Sequence, residues 1–325
     1  MGHYLVTGTA GFIASNVAEL LLAGGHSVVG VDNMNDAYDV RLKHWRLERL
    51  QRLDGFTFHD LDICDRAGLR SRVFGDETYD GIINLAARAG VRQSVKDPHI
   101  YADTNLDGTL NLLEACREHG IAKFVLASTS SLYGEQTEMP YTEDMRTDAP
   151  LSPYAATKKA AEAMCYTYHY LYGIDVTVFR YFTVYGPAGR PDMSLFRFTK
   201  WISEGRPVTV FGDGRQSRDF TYVKDIARGT VRGLQNVGYE VINLGSDTPV
   251  VLMDAIRMIE DALGKQADFD FQPRHAADVL ATWANISKAR TVLQWQPEMT
   301  FEDGVRRTVE WYLRNETWAR ELRTE

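Results

Sequence analysis

Tyr154 and Lys158 stand four residues apart in SPYAATKK, a spacing that puts two side chains on one helix face. An ammonium beside a phenol favours the phenolate and lowers its pKa, and such a phenol can act as a general base near neutral pH. Alone the pair is a weak signal, because the same spacing also arises as a surface contact. Upstream, Ser128, Thr129, Ser130 and Ser131 place four hydroxyls in succession after the apolar run 123–127. They form a dense set of neutral donors and acceptors, although Ser/Thr runs also mark loops and helix caps.

A second constellation lies at the N-terminus. Gly8-Thr9-Ala10-Gly11-Phe12-Ile13-Ala14 follows an apolar run and opens a helical pattern. Glycine at 8 permits a tight turn, and glycine at 11 lets a pyrophosphate approach the backbone. The helix start offers unpaired N–H groups and a positive dipole end. Ala14 stands where a third glycine is common and is small enough for close helix–strand packing. Asp32 ends the next apolar run, in VVGVDN, where a carboxylate accepts from an adenosine ribose and repels a 2′-phosphate. This predicts NAD rather than NADP; separately, no CxxC or Cys/His ligand spacing appears, so no metal is expected.

The elements that must position these residues alternate. Runs 4–6, 27–31, 81–85 and 123–127 read as buried strands. Between them, 12–23, 65–74 and 98–119 read as helices, followed by a helix over 153–172 and a strand over 175–179. Alternation of this kind predicts an α/β fold, a Rossmann-type doubly wound parallel sheet. After about Tyr181, Gly186, Pro187, Gly189 and Pro191 cluster and the elements shorten. The expected division is a dinucleotide domain over 1–180 and a smaller mixed α/β substrate domain over 181–325. A strand near 240–244 is expected to return to the main sheet.

Bulk properties exclude several classes. The 325 residues are 44% apolar and 25% charged, which is ordinary for a globular protein. A formal net charge of −8 argues against a general nucleic-acid or membrane-surface role. Cys64, Cys116 and Cys165 are odd in number and far apart, so a reducing, cytoplasmic setting is expected. No signal-peptide pattern is expected at MGHYLVTG, and no apolar stretch reaches membrane-helix length.

Together these motifs resemble the extended short-chain dehydrogenase/reductase family over nearly the whole chain. The resemblance implies that Gly8, Gly11, Phe12 and Ile13 form the cofactor turn, with Asp32 and Asn33 at the ribose. It implies an adenine contact at Asp62 and Ile63, a nicotinamide-ribose turn at Leu85-Ala86-Ala87, a structural and cofactor-side role for Asn105, and a cofactor-side role for Tyr181. Tyr154 and Lys158 match the catalytic pair, which also faces the cofactor, and Thr129 matches the hydroxyl that joins them.

A narrower stretch is similar to the UDP-glucuronate 4-epimerase group: AGVRQS, containing Arg92, and RYFTVYGPAGRPDM over 180–193. The resemblance implies inversion at C4 of UDP-glucuronic acid to UDP-galacturonic acid through a 4-keto intermediate. Ser130, Ser131 and Thr183 would hold the C6 carboxylate, with Arg190 beside it. Thr209 and Phe211 would meet uracil, Arg218 the diphosphate, and Asp278 a ribose hydroxyl or that arginine. Homodimerisation through the helices over 98–119 and 153–172 is also implied. Departures exist: Asn84 replaces a usual His, Ala276-Ala277-Asp278 a usual Pro-Gly-Asp, and Asn285 a common Asp. The alternatives are a UDP-glucuronate decarboxylase, a UDP-glucose 4-epimerase, or a dinucleotide-binding redox sensor. The dehydratase relatives carry Asp-Glu after the catalytic Thr, and the decarboxylases a Glu at the position of Ser131. Both positions are Ser here.

Overall fold

The structure, a computed structural model, describes residues 1–324 apart from 76, 137 and 274–278. In chain order the strands are β1 (His3–Thr7), β2 (Ser27–Asp32), β3 (Phe56–Asp60), β4 (Gly81–Asn84), β5 (Lys123–Thr129) and β6 (Asp175–Tyr181). They continue as β7 (Thr183–Tyr185), β8 (Val208–Phe211), β9 (Ser217–Tyr222), β10 (Tyr239–Leu244), β11 (Pro249–Val251) and β12 (Phe269–Gln272).

Seven strands form one parallel sheet in the order β10-β6-β5-β4-β1-β2-β3. The order reverses between β1 and β4, which opens a crevice beyond their carboxyl ends, where such sheets take ligands. The central strands are Val-, Ile- and Leu-rich and buried, because helices cover both faces. β10 pairs with β6 from Tyr239–Val176 to Leu244–Tyr181, so the chain returns to the main sheet after leaving it. The remaining strands form a three-stranded sheet, β11-β9-β7, and a parallel pair, β12-β8. These pack with the helices Ser194–Glu204, Leu252–Leu263 and Phe301–Arg314 around a separate apolar cluster. Among the described residues no helix is long and apolar enough to cross a membrane.

Two elements escape the hydrophobic pattern. The helix Arg41–Gln51 buries Leu42, Leu47 and Leu50 along one face, but Lys43 and Arg46 share that face and obscure its period. The edge strand β3 is half-exposed. Two expected helices are also interrupted. The stretch over 98–119 divides into Pro98–Ala102, a wide π-type turn Asp103–Asp107, and Gly108–His119. Over 65–74 a single turn capped by Asp65 leads into another wide turn, Leu69–Phe74. Periodicity cannot register such bulges because the apolar face is rotated without being broken.

Candidate active site

The glycine turn is built for close approach. Gly8 has φ +72°, and a Cβ there would lie 2.9 Å from the Ala86 nitrogen. A Cβ on Gly11 would lie 2.7 Å from the Gly8 carbonyl oxygen. Gly11 also starts the helix Phe12–Ala23 with no side-chain cap, which leaves its first N–H groups available to an anion. Asp32, buried at the end of β2, accepts from the Ala10 N–H at 3.2 Å and the Met34 N–H at 2.9 Å. Lys43, equally buried, donates to it at 3.1 Å. Asp62 resists the upward push of burial because the Cys64 N–H and the Asn33 amide donate to it, and its pKa lies below the usual value.

The reacting end rests on β5 and on the helix Pro153–Tyr172. Ser152 caps that helix by accepting from the Ala155 N–H at 3.2 Å, and Pro153 occupies the first turn, where its missing N–H costs nothing. Tyr154 and Lys158 therefore sit one turn apart at a fixed start. Thr129, the last residue of β5, hydrogen-bonds the Tyr154 phenol. Its Oγ1 also accepts from the Ser131 N–H at 3.1 Å and contacts the Ser131 hydroxyl at 3.1 Å.

The phenol departs from the sequence expectation of a lowered pKa. Burial pushes it up, and the Thr129 hydrogen bond and the Arg190 charge only partly offset that push. Lys158 moves the opposite way. Burial holds its ammonium down to about 8, against the smaller upward pulls of Cys165 and Glu162. Desolvation disfavours both charged forms, so the phenol and the ammonium are pushed in opposite directions and both are held toward neutrality.

Beneath these residues Ser128 donates to Glu162 at 2.6 Å, and Arg180 meets the same carboxylate with two bonds of 3.0 and 2.9 Å. The Arg180 guanidinium also donates to the Tyr133 hydroxyl at 3.2 Å. This satisfied, buried ion pair gives the hydroxyl run a rigid floor.

A cleft of about 660 Å³ joins the two ends. Gly8, Gly11, Phe12, Ile13, Asp32, Asn33, Asp62, Ile63, Leu85, Ala86, Ala87 and Tyr181 line its cofactor side. Thr129, Ser130, Ser131, Tyr154, Lys158, Thr183, Arg190, Arg92, Thr209, Phe211 and Arg218 line the remainder. Arg190 is held by Asp192 through bonds of 3.1 and 2.7 Å and stacks over Tyr38 at 5.3 Å. Arg92 lies 4.4 Å over the Phe211 ring and so bridges the cleft between the two lobes. Arg218 donates to the Ser217 carbonyl at 2.8 Å and the Leu280 carbonyl at 3.3 Å.

Asn105 is a correction. It does not line the cleft but is fully buried, where its amide accepts from the Arg88 N–H at 2.8 Å and donates to the Arg88 carbonyl at 3.0 Å and Thr157 at 3.1 Å. It ties the loop after β4 to the helix that carries Tyr154, so it positions rather than contacts. The wide turn at Asp103–Asp107 delivers it there. Asp278 lies outside the described residues. Asn84, in place of the usual His, accepts from Thr7 at 2.7 Å and donates to Thr109 at 3.1 Å, which closes a buried polar chain without a charge.

Lys43, Asp192, Tyr38 and Glu162 were not foreseen. Lys43 sits in a basic stretch with no motif around it, and Asp192 lies within the GRPDM segment that drew notice for its arginine. Only the fold shows what each touches.

A switch-point crevice, a glycine turn and a Tyr–Lys pair under one roof define a dinucleotide-dependent enzyme of the short-chain dehydrogenase/reductase type. Residues 5–308 match the family model described as GDP-mannose 4,6 dehydratase, and the chain belongs to that extended short-chain dehydrogenase/reductase family. It is 54% identical over 316 residues to a UDP-glucuronate 4-epimerase of Thermodesulfobacterium geofontis (strain OPF15), covering 97% of each chain. It also superimposes on the UDP-glucuronic acid 4-epimerase of Bacillus cereus in complex with UDP-glucuronic acid and NAD, with a TM-score of 0.89. That match has 39% identity and covers 96% of this chain and 99% of the other. A UDP-glucose 4-epimerase from Thermotoga maritima, solved with UDP-glucose, matches at a TM-score of 0.89 and 30% identity, over 97% and 99% of the two chains.

Proposed function

We propose that this protein is an NAD-dependent isomerase that inverts C4 of UDP-glucuronic acid to give UDP-galacturonic acid, without loss of CO₂. The observation that carries the reading is the side-by-side placement of Tyr154, hydrogen-bonded to Thr129, and the uncharged pair Ser130 and Ser131. The glycine cradle and Asp32 fit an NAD pyrophosphate and an unphosphorylated ribose. NAD held there would supply reversible hydride exchange at C4, with no net consumption.

Tyr154 removes the proton of the 4-hydroxyl as hydride leaves C4 and a carbonyl forms, with Thr129 holding the phenol in line. The sugar then turns over, and Tyr154 returns the proton to the new 4-hydroxyl. Lys158, one turn along the helix, supplies positive charge beneath the phenol. Arg218, Thr209, Phe211 and Arg92 anchor the UDP, so binding energy far from C4 fixes the sugar during the turn. Asp278 completes that end, and the chain divides near residue 180 into a cofactor part and a mainly substrate part.

A 4-keto-hexuronate is a β-keto acid and loses CO₂ when its carboxylate bond aligns with the carbonyl π system. Ser130, Ser131 and Thr183 hold the carboxylate out of that alignment, with Arg190 alongside. Neither serine can act as the acid or base that elimination requires, which weighs against a dehydratase. The absence of Glu at Ser131 weighs against a decarboxylase, and the intact Tyr154, Lys158 and Thr129 set weighs against a redox sensor.

Exposed Tyr166, Tyr170 and Leu171 on the helix Pro153–Tyr172 suit a homodimer interface, and the three free cysteines suit the cytoplasm. The test is incubation with UDP-glucuronate and NMR of the products. UDP-galacturonate is expected; UDP-xylose or a 4-keto pentose as main product contradicts the reading.

A further inference from the structure

A second cavity, of about 490 Å³, shares no wall residue with the first. Its walls come from the helices Phe12–Ala23, Arg41–Gln51 and Phe301–Arg314, from Pro187 and Ala188, and from residues 222–224 at the end of β9. Six cationic side chains face it: Arg46, Arg49, Lys224, Arg306, Arg307 and Arg314. Two carboxylates, Glu19 and Glu310, oppose them. The whole chain carries −8, so this positive concentration runs against its composition.

The two carboxylates are already shared out. Glu19 takes Arg49 at 2.8 Å, and Glu310 takes Arg306 at 3.5 Å and Arg314 at 3.4 Å, while Asp303, outside the wall, takes Arg306 at 2.5 Å. Arg46, Lys224 and Arg307 make no ion pair among the described residues. Arg46 is 3% exposed and is held rigidly, by the Ala188 carbonyl at 3.2 and 2.7 Å, the Ala10 carbonyl at 3.2 Å and the Tyr38 hydroxyl at 2.7 Å. Arg307 hydrogen-bonds the Tyr222 hydroxyl. The wall residue Trp311 adds a buried indole N–H with no acceptor.

Like charges gathered in a concave wall raise the local potential and concentrate anions there. The exposed Arg–Glu contacts are individually weak and yield readily to a stronger acceptor. Guanidinium groups favour phosphate oxygens, which they meet two bonds at a time. The cations stand on three separate segments, an arrangement that suits a chain of two or three phosphates better than a single one.

We propose that this cavity binds an oligophosphate, either inorganic or the phosphate tail of a nucleotide. It is separate from the UDP site, whose arginine, Arg218, lies in the other cleft.

The test is calorimetry on the NAD-loaded protein saturated with UDP, so that the main cleft is filled. Sodium tripolyphosphate and ATP are titrated separately. One site per chain is expected, weakening as salt rises. Equal affinity for the two ligands assigns recognition to the phosphates alone, and tighter ATP binding adds the nucleoside. The double variant Lys224→Ala/Arg307→Ala should bind at least tenfold more weakly with unchanged epimerase turnover, while Arg218→Ala should bind tripolyphosphate as before. Lys224→Ala alone, at an exposed position, keeps the test valid if loss of Arg307 disturbs folding. No saturable heat, or binding that is lost in Arg218→Ala and kept in the double variant, overturns the proposal.

Discussion

The two ends of the cleft are built in opposite ways. The redox end is assembled from strand termini of a seven-stranded sheet and from one capped helix, and its key groups, Lys158, Asp32 and Glu162, are buried and paired or desolvated. The sugar-nucleotide end hangs from loops and short strands, and its arginines, Arg190, Arg92 and Arg218, rest on a carboxylate, a ring and carbonyls. Hydride chemistry needs one fixed geometry, so rigidity serves it. A sugar that must turn over needs a far end that holds while the near end lets go, so contacts that can be exchanged serve that.

Variants at the rigid end should have the larger effects. Tyr154→Phe should slow turnover by ~10³-fold or more, because it removes the acid–base group. Equilibrium dialysis should find NAD and UDP binding nearly intact; loss of nucleotide binding would assign the phenol a different role.

Lys158 gives a smaller effect with a pH signature. Its ammonium titrates near 8, being charged below that value and neutral above it. Turnover should therefore decline as pH rises through about 8, as the charge beneath the phenol is lost. Lys158→Met should be slower by ~10²-fold at pH 7 and should lack that decline. A wild-type profile flat across this range would break the link between the two residues.

At the exchangeable end the effect should appear in product identity more than in rate. Ser131→Ala removes one neutral hydrogen bond, worth about 1 kcal/mol, or roughly fivefold in hold on the carboxylate. The fraction of decarboxylated product, read by NMR, should rise by a similar factor while C4 oxidation continues. An unchanged ratio would show that Ser131 does not grip the acid group.

Cofactor choice gives an effect of comparable size. Asp32→Asn removes the carboxylate that repels a 2′-phosphate and leaves Lys43 without its partner. NADP should then bind tighter by about tenfold, ~1.4 kcal/mol, in a competition assay against NAD. No gain would place the discrimination elsewhere.

The rigid end was also the more legible in sequence, and for the same physical reason. A buried parallel strand must be a short apolar run, and a phosphate turn requires glycine, so β1, β2, β4 and β5 and the Gly8 to Ala14 turn appear directly in the residues. Tyr154 and Lys158 are legible because a helix imposes their spacing. Lys43 was not, because its burial depends on Asp32, eleven positions away on a different element. Asn105 was read by resemblance as structural and cofactor-side, but its partners Arg88 and Thr157 were not legible, since no local pattern announces the wide turn that draws it to them. The helix Arg41–Gln51 was hidden by the cations it carries. The direction of the Tyr154 shift was misjudged because a charge four residues away is visible in sequence, whereas desolvation by the whole fold is not.

The central claim is that the Tyr154 phenol faces C4 while uncharged hydroxyls hold the acid group. A crystal structure of the Tyr154→Phe protein with NAD and UDP-glucuronate tests it most directly. The account predicts the carboxylate within hydrogen-bonding distance of Ser130, Ser131 and Thr183, and C4 beside both the nicotinamide and the residue-154 ring. A carboxylate turned to solvent, or C4 remote from that ring, would contradict it.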